Sequence, residues 1–283
     1  MLQQVVTPFK IANGVNLQPS YYNNGNVTFG WDLMHQYTKI KSLRIEIEPD
    51  KVNEGKNWID EAINEGYSVI ATYHKYEALG SDAKSELLDA AGWWVDNFSF
   101  LSSGTKDQFT INLMNEFGSH DLRSSRFADM YNVAISTIRQ GTDYDGAIIV
   151  DLSGYGQEAD IAADASRSIV DSNIIFSMHI YPSGWNSVHK RHMDNSDIDT
   201  LASTGRPCII GEFGPDTTSQ QTADAVDVAG MVNYASSLGW PVLGWAWNGD
   251  GGELNMVSPP WYDNPIADTY EESNYFSGVM SLL

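Results

Sequence analysis

The chain has 283 residues, 42% of them hydrophobic, with 16 basic against 37 acidic side chains and a net charge of −21. A field of that sign repels nucleic acid and anionic membranes but leaves a neutral polymer unaffected, so the first two are excluded as main partners. No apolar run approaches the roughly 18–20 residues of a membrane helix, and the single cysteine, Cys208, excludes an intramolecular disulfide and a cysteine-based zinc site.

Taken in order, Phe9 to Leu17 reads as a first strand, followed by a polar, aromatic loop from Gln18 to Phe29. Ser42 to Pro49 is a second strand in which Arg44, Glu46 and Glu48 alternate with apolar residues. The stretch Lys51 to Gly66 has helical spacing and a glycine stop. A third strand, Ser68 to His74, precedes a helix from Ser81, its expected cap, to about Phe100. The fourth strand begins at Phe109 and is expected to end in Glu116, and a helix follows over 124–140. Ala147–Leu152 and Ile174–Tyr181 are the fifth and sixth strands, separated by a helix over 159–170.

Cys208 to Glu212 is the seventh strand, closed by Phe213-Gly214-Pro215. A helix is expected from Gln221 to Leu238, and Pro241 to Trp247 is the eighth strand. Eight apolar strands alternating with helices predict an α/β fold, a single (β/α)8 TIM barrel spanning 1–283 as one domain. A doubly wound open sheet is the competitor. It lacks its Gly-x-Gly-x-x-Gly turn here.

In a barrel the chemistry sits at the C-terminal ends of the strands. Collecting those ends gives Arg44, His74, Asn115, Glu116, His179, Tyr181, Glu212, Trp245 and Trp247. Glu116 and Glu212 each close an apolar run and each precede Phe-Gly. Strands four and seven lie across the ring from one another, so the two carboxylates can face each other. Such a pair suits glycoside hydrolysis, one carboxyl protonating the leaving oxygen while the other attacks the anomeric carbon or activates water. His189 and His192 lack a third ligand for zinc, so no metal or cofactor is expected.

Asn115-Glu116, His179-Ile180-Tyr181, Gly211-Glu212-Phe213-Gly214 and the Trp-rich eighth strand, in that order, resemble glycoside hydrolase family 5. The resemblance implies a retaining mechanism with Glu116 as acid/base and Glu212 as nucleophile. It also implies that Arg44 and Tyr181 hold the nucleophile and that Asn115 bonds the sugar 2-hydroxyl. His74 and His179 would line the reacting subsite, with Trp245 or Trp247 stacking under the sugar. Among the loop aromatics, Trp185 is a candidate outer subsite. The run Trp245-Ala246-Trp247-Asn248-Gly249-Asp250-Gly251-Gly252 looks like that of bacterial-type β-mannanases in the family, with Asp250 where those commonly carry Asn. The expected activity is therefore that of an endo-β-1,4-mannanase, with endo-β-1,4-glucanase as the alternative. The partner is a polysaccharide and the protein is expected to be a monomer. The first residues lack the basic start and apolar core of a signal peptide. Secretion is inferred instead from a substrate that cannot cross a membrane.

Overall fold

The computed structural model describes residues 11–105, 108–215 and 225–283. Eight parallel strands close into a barrel in chain order. They are β1 (Gly14–Leu17), β2 (Ser42–Ile47), β3 (Ser68–Tyr73), β4 (Phe109–Asn112), β5 (Ile148–Asp151), β6 (Ile174–Ile180), β7 (Cys208–Phe213) and β8 (Val242–Asn248). Helices α1 (Val52–Asn64), α2 (Lys84–Leu101), α3 (Ser124–Gly141), α4 (Ala159–Ser166), α5 (Asn195–Ala202), α6 (Val228–Ser237) and α7 (Phe276–Leu282) are packed outside it. Among the described residues no helix is long and apolar enough to cross a membrane.

Alternation along each strand divides the residues between two environments. On β2, Leu43, Ile45 and Ile47 belong to the large apolar layer under the helices, whereas Arg44 and Glu46 point into the barrel. Ile47 packs so closely on α1 that a side chain at Gly55 would meet it at 2.9 Å. Inside, Ile11, Ile70, Ile149, Ile175, Ile209 and Leu243 form a separate apolar plug. The next inward positions along four of these strands are Thr72, Asp151, Ser177 and Gly211. On these four strands the barrel thus changes from apolar floor to polar mouth within two residues.

Several boundaries differ from the sequence expectation. β1 starts only at Gly14, where the backbone approaches β2 so closely that a Cβ would lie 1.7 Å from the Ser42 carbonyl oxygen. Phe9 and Lys10 lie outside the described residues. Ser81 does not cap α2. Its hydroxyl accepts the Ala83 N–H at 3.2 Å in a turn ahead of the helix, which begins at Lys84. α4 stops at Ser166 rather than at 170. Of the helix expected over 221–238, residues 221–224 lie outside the described set. The described helix, α6, starts after Asp227, whose carboxylate caps the Gly230 N–H at 2.9 Å. Gly66 ends α1 as expected, with φ +94° and its N–H bonded to Ile63 O.

Candidate active site

Glu212 reaches the interior through a break in alternation. Met178 pairs with Ile210 but the next residue, His179, pairs with Glu212, so β7 carries one extra residue at this point. Such a bulge re-aims a side chain. Gly211 and Glu212 consequently both face inward, and only glycine fits at 211, because a Cβ there would lie 2.1 Å from Ser177 Oγ and 3.1 Å from His179 Nε2.

The Glu212 carboxylate is buried, 4% exposed. Arg44 Nη1 donates to its Oε1 at 2.8 Å and the Tyr181 hydroxyl to its Oε2 at 2.7 Å. Burial alone raises the pKa of this carboxyl. The positive charges of His179 and Arg44 and the Tyr181 hydrogen bond outweigh it, holding Glu212 below the ordinary value and ionised.

Arg44, expected at a strand end, is instead in mid-strand and completely buried. Its guanidinium also donates to Asn16 Oδ1 (3.0 Å), Glu46 Oε1 (2.9 Å), Asn112 Oδ1 (3.0 Å), Asn115 Oδ1 (2.6 Å) and Asp151 Oδ2 (3.2 Å). Burial disfavours the cation, yet Asp151, Glu212 and Glu46 together raise its pKa further, so the charge is permanent.

Glu116 is not at the end of its strand. β4 stops at Asn112, and Glu116 lies four residues on in a turn with φ +48°. Its peptide is fixed on both sides, the N–H donating to Asp151 Oδ2 at 3.2 Å and the carbonyl accepting from Gly80 N at 2.9 Å. The side chain is 13% exposed and its Oε1 meets His179 Nδ1 at 2.8 Å. His179 is buried, which favours the neutral ring. Glu212, Asp151 and the hydrogen bond to Glu116 outweigh this and raise its pKa to about 9, so it is an imidazolium at neutral pH.

Among the described residues, Glu116, His179 and Glu212 bring ligand-type atoms within 4.8 Å of one another. A cation could take such a donor set. Here Arg44 already occupies Glu212 Oε1 and a protonated His179 donates rather than ligates. His189 and His192 do not converge. The first meets Asp160 Oδ1 at 3.2 Å and the second the Gly184 carbonyl at 3.1 Å.

The other expected residues separate. Trp245 is half-buried at the mouth, its indole N–H held by Asp250 Oδ1 at 2.9 Å. Trp247 is not a sugar platform. It is 0% exposed, stacks edge-on with Phe276 and donates to the Phe29 carbonyl at 2.7 Å. The two tryptophans separate where β8 gains two residues against β1, Val15 pairing with Gly244 but Leu17 with Asn248, while the backbone at Ala246 bonds Leu254 and Met256 of the following loop.

His74 is buried, and both ring nitrogens meet protein groups. Nδ1 lies 2.6 Å from the Tyr21 hydroxyl and 3.1 Å from Glu48 Oε1, and Nε2 lies 3.3 Å from Glu46 Oε2. Tyr21, 42% exposed, is the outer face of that cluster. Trp185, 37% exposed, lies in a small hairpin over His192.

Asp151, Glu46, Asn16 and Asn112 were absent from the predicted set. Asp151 is the last residue of β5, so the strand-end rule contained the signal. Glu46 is the inward neighbour of Arg44 on β2. Asn16 and Asn112 carry no signal beyond lying on barrel strands.

The chain matches the family model described as Cellulase (glycosyl hydrolase family 5) over residues 22–251. It is 27% identical to a mannan endo-1,4-beta-mannosidase of Salipaludibacillus agaradhaerens over 71% of this chain and 64% of that protein. It is 29% identical to one of Streptomyces lividans over 66% of this chain and 48% of that protein. The aligned part thus spans about half to two thirds of these curated relatives. The fold is shared with a β-mannanase structure from Streptomyces thermolilacinus, with a TM-score of 0.71, 18% identity, and coverage of 87% of this chain and 83% of that one. With the family model covering most of the barrel and Asn115, Glu116, His179, Tyr181 and Glu212 gathered at its mouth, the chain belongs to glycosyl hydrolase family 5.

Proposed function

We propose that the protein is a retaining endo-β-1,4-mannanase in which Glu212 is the nucleophile and Glu116 the acid/base. The observation that carries the mechanism is the closeness of the two carboxyls, which bring one oxygen of each within 4.8 Å and share contact with one His179 nitrogen. Retaining glycosidases hold their carboxyls about 5–5.5 Å apart, whereas inverting enzymes leave about 6.5–9.5 Å for a water. Glu212, kept ionised by Arg44, His179 and Tyr181, attacks the anomeric carbon as Glu116 gives its proton to the departing oxygen. Water, deprotonated by Glu116, then releases the sugar from Glu212. Asn115, its carbonyl oxygen held by Arg44, offers its amide N–H to the sugar 2-hydroxyl. Trp245, fixed by Asp250, stacks under the sugar ring.

The substrate reading is supported by the relatives, which are mannan endo-1,4-beta-mannosidases, and by the Trp245 to Gly252 run. Mannan chains do not cross membranes, so enzyme and substrate meet outside the cell. The second reading is an endo-β-1,4-glucanase, which the description of the family model favours. Reducing-sugar release from glucomannan, galactomannan and carboxymethyl-cellulose separates them, with Glu212→Gln as the control. Release from both mannans that disappears in the variant supports the mannanase. Release from the cellulose derivative alone would replace it with the glucanase.

A further inference from the structure

We propose that Asp151 is a positioning residue for Glu116, its one carboxylate tying the acid/base to the cation that holds the nucleophile. The inference rests on the acid/base role assigned to Glu116 above. Asp151 is completely buried at the end of β5. Its Oδ2 accepts from the Glu116 N–H at 3.2 Å and from Arg44 Nη2 at 3.2 Å, and lies 3.6 Å from His179 Nε2. Its Oδ1 accepts from Asn112 Nδ2 at 3.1 Å. One side chain therefore contacts the backbone of Glu116, the imidazolium that bonds the Glu116 carboxyl and the guanidinium that bonds Glu212.

The backbone of Glu116 shows what this contact does. Its φ of +48° lies in the left-handed region, which a residue with a side chain adopts only when its surroundings impose it. The peptide is clamped there by Asp151 at the N–H and by Gly80 at the carbonyl. Without the first clamp the residue is free to return to ordinary backbone angles, and its carboxyl leaves the line to the departing oxygen. A purely charge-balancing role beside Arg44 would not need the contact to Glu116. Glu46 and Glu212 already lie 2.9 and 2.8 Å from that guanidinium.

The test compares a natural oligosaccharide with the 2,4-dinitrophenyl β-glycoside of the disaccharide matching the preferred polymer. The dinitrophenolate leaves without a proton, so bond cleavage there does not need the acid. Asp151→Ala removes the acceptor. Asp151→Asn keeps its volume but has one acceptor oxygen where three donors converge, so it cannot serve both Asn112 and the Glu116–Arg44 side. Asp151→Ala gives the reading if it melts like the parent; otherwise Asp151→Asn gives it, with a crystal structure of that variant showing its amide nitrogen turned to the Glu116 N–H. The expected result is a loss in kcat/KM of about 10²-fold or more on the natural substrate, the range for a lost general acid, and less than about tenfold on the activated one. Sodium azide should then raise kcat on the activated substrate, attacking the anomeric carbon of the glycosyl-enzyme, displacing the Glu212 carboxylate and giving a β-glycosyl azide. Equal losses on both substrates, or no loss on either, would overturn the proposal. Glu116→Ala should give the same pattern more strongly. Equal losses in that variant would instead remove the acid/base assignment on which the inference stands.

Discussion

His179 and Glu116 are joined by a 2.8 Å contact between Nδ1 and Oε1, and the same nitrogen lies 3.5 Å from Glu212 Oε1. The ring thus stands between the two carboxyls and belongs to both. Its positive charge helps to keep Glu212 ionised, and Glu212, Asp151 and the hydrogen bond to Glu116 in turn raise its pKa.

This fixes the sign of one pH dependence. The pKa of His179 rises on folding from the ordinary 6.5 to about 9. The imidazolium therefore adds stability that is fully present below pH 6.5 and is lost as pH climbs through 9. The melting temperature of the parent should fall between pH 7 and pH 10, and His179→Asn should flatten that fall while lowering stability at neutral pH. An unchanged alkaline slope in the variant, read by differential scanning fluorimetry across pH, would show that another group carries it.

Much of this site was legible because barrel chemistry collects at strand ends, and the ends of β6 and β7 are visible as apolar runs meeting His179, Tyr181 and Glu212. What stayed hidden depends on breaks in period. The extra residue at Gly211 and Glu212 puts two neighbours on one side, which no alternation rule predicts. The turn that carries Glu116 beyond β4 is bonded to Asp151, 35 residues away. Arg44 was recognised without its depth, since a sequence does not show that five other side chains besides Glu212 will converge on a guanidinium.

The two tryptophans of β8 give the second prediction. Trp247 is core, so Trp247→Ala should destabilise the fold by about 3–5 kcal/mol, the usual cost of deleting a buried large aromatic. Trp245→Ala should leave the melting temperature close to that of the parent and raise KM for oligosaccharides. Asp250→Ala, which frees the Trp245 indole N–H and the Gly252 and Leu254 amides, should raise KM in the same direction by a smaller factor. Urea unfolding and initial-rate kinetics on the three variants separate these roles. A Trp247→Ala variant with parental stability would contradict the packing described above.

The third prediction concerns Gly211. A methyl group at this position would press on Ser177 Oγ at 2.1 Å and on His179 Nε2 at 3.1 Å, and Ser177 is itself completely buried. Overfilling a packed interior costs about 1–3 kcal/mol, and here the groups pushed are the Ser177 hydroxyl and, behind it, the imidazolium between the Glu116 and Glu212 carboxyls. Gly211→Ala should therefore lower both stability and kcat. Ser177→Ala in the same chain removes the closest contact and should restore part of each. The cycle of two single variants and one double variant, read by urea unfolding and by kcat, gives the coupling. Zero coupling would place the strain in the backbone of the β7 bulge rather than in the contact with β6.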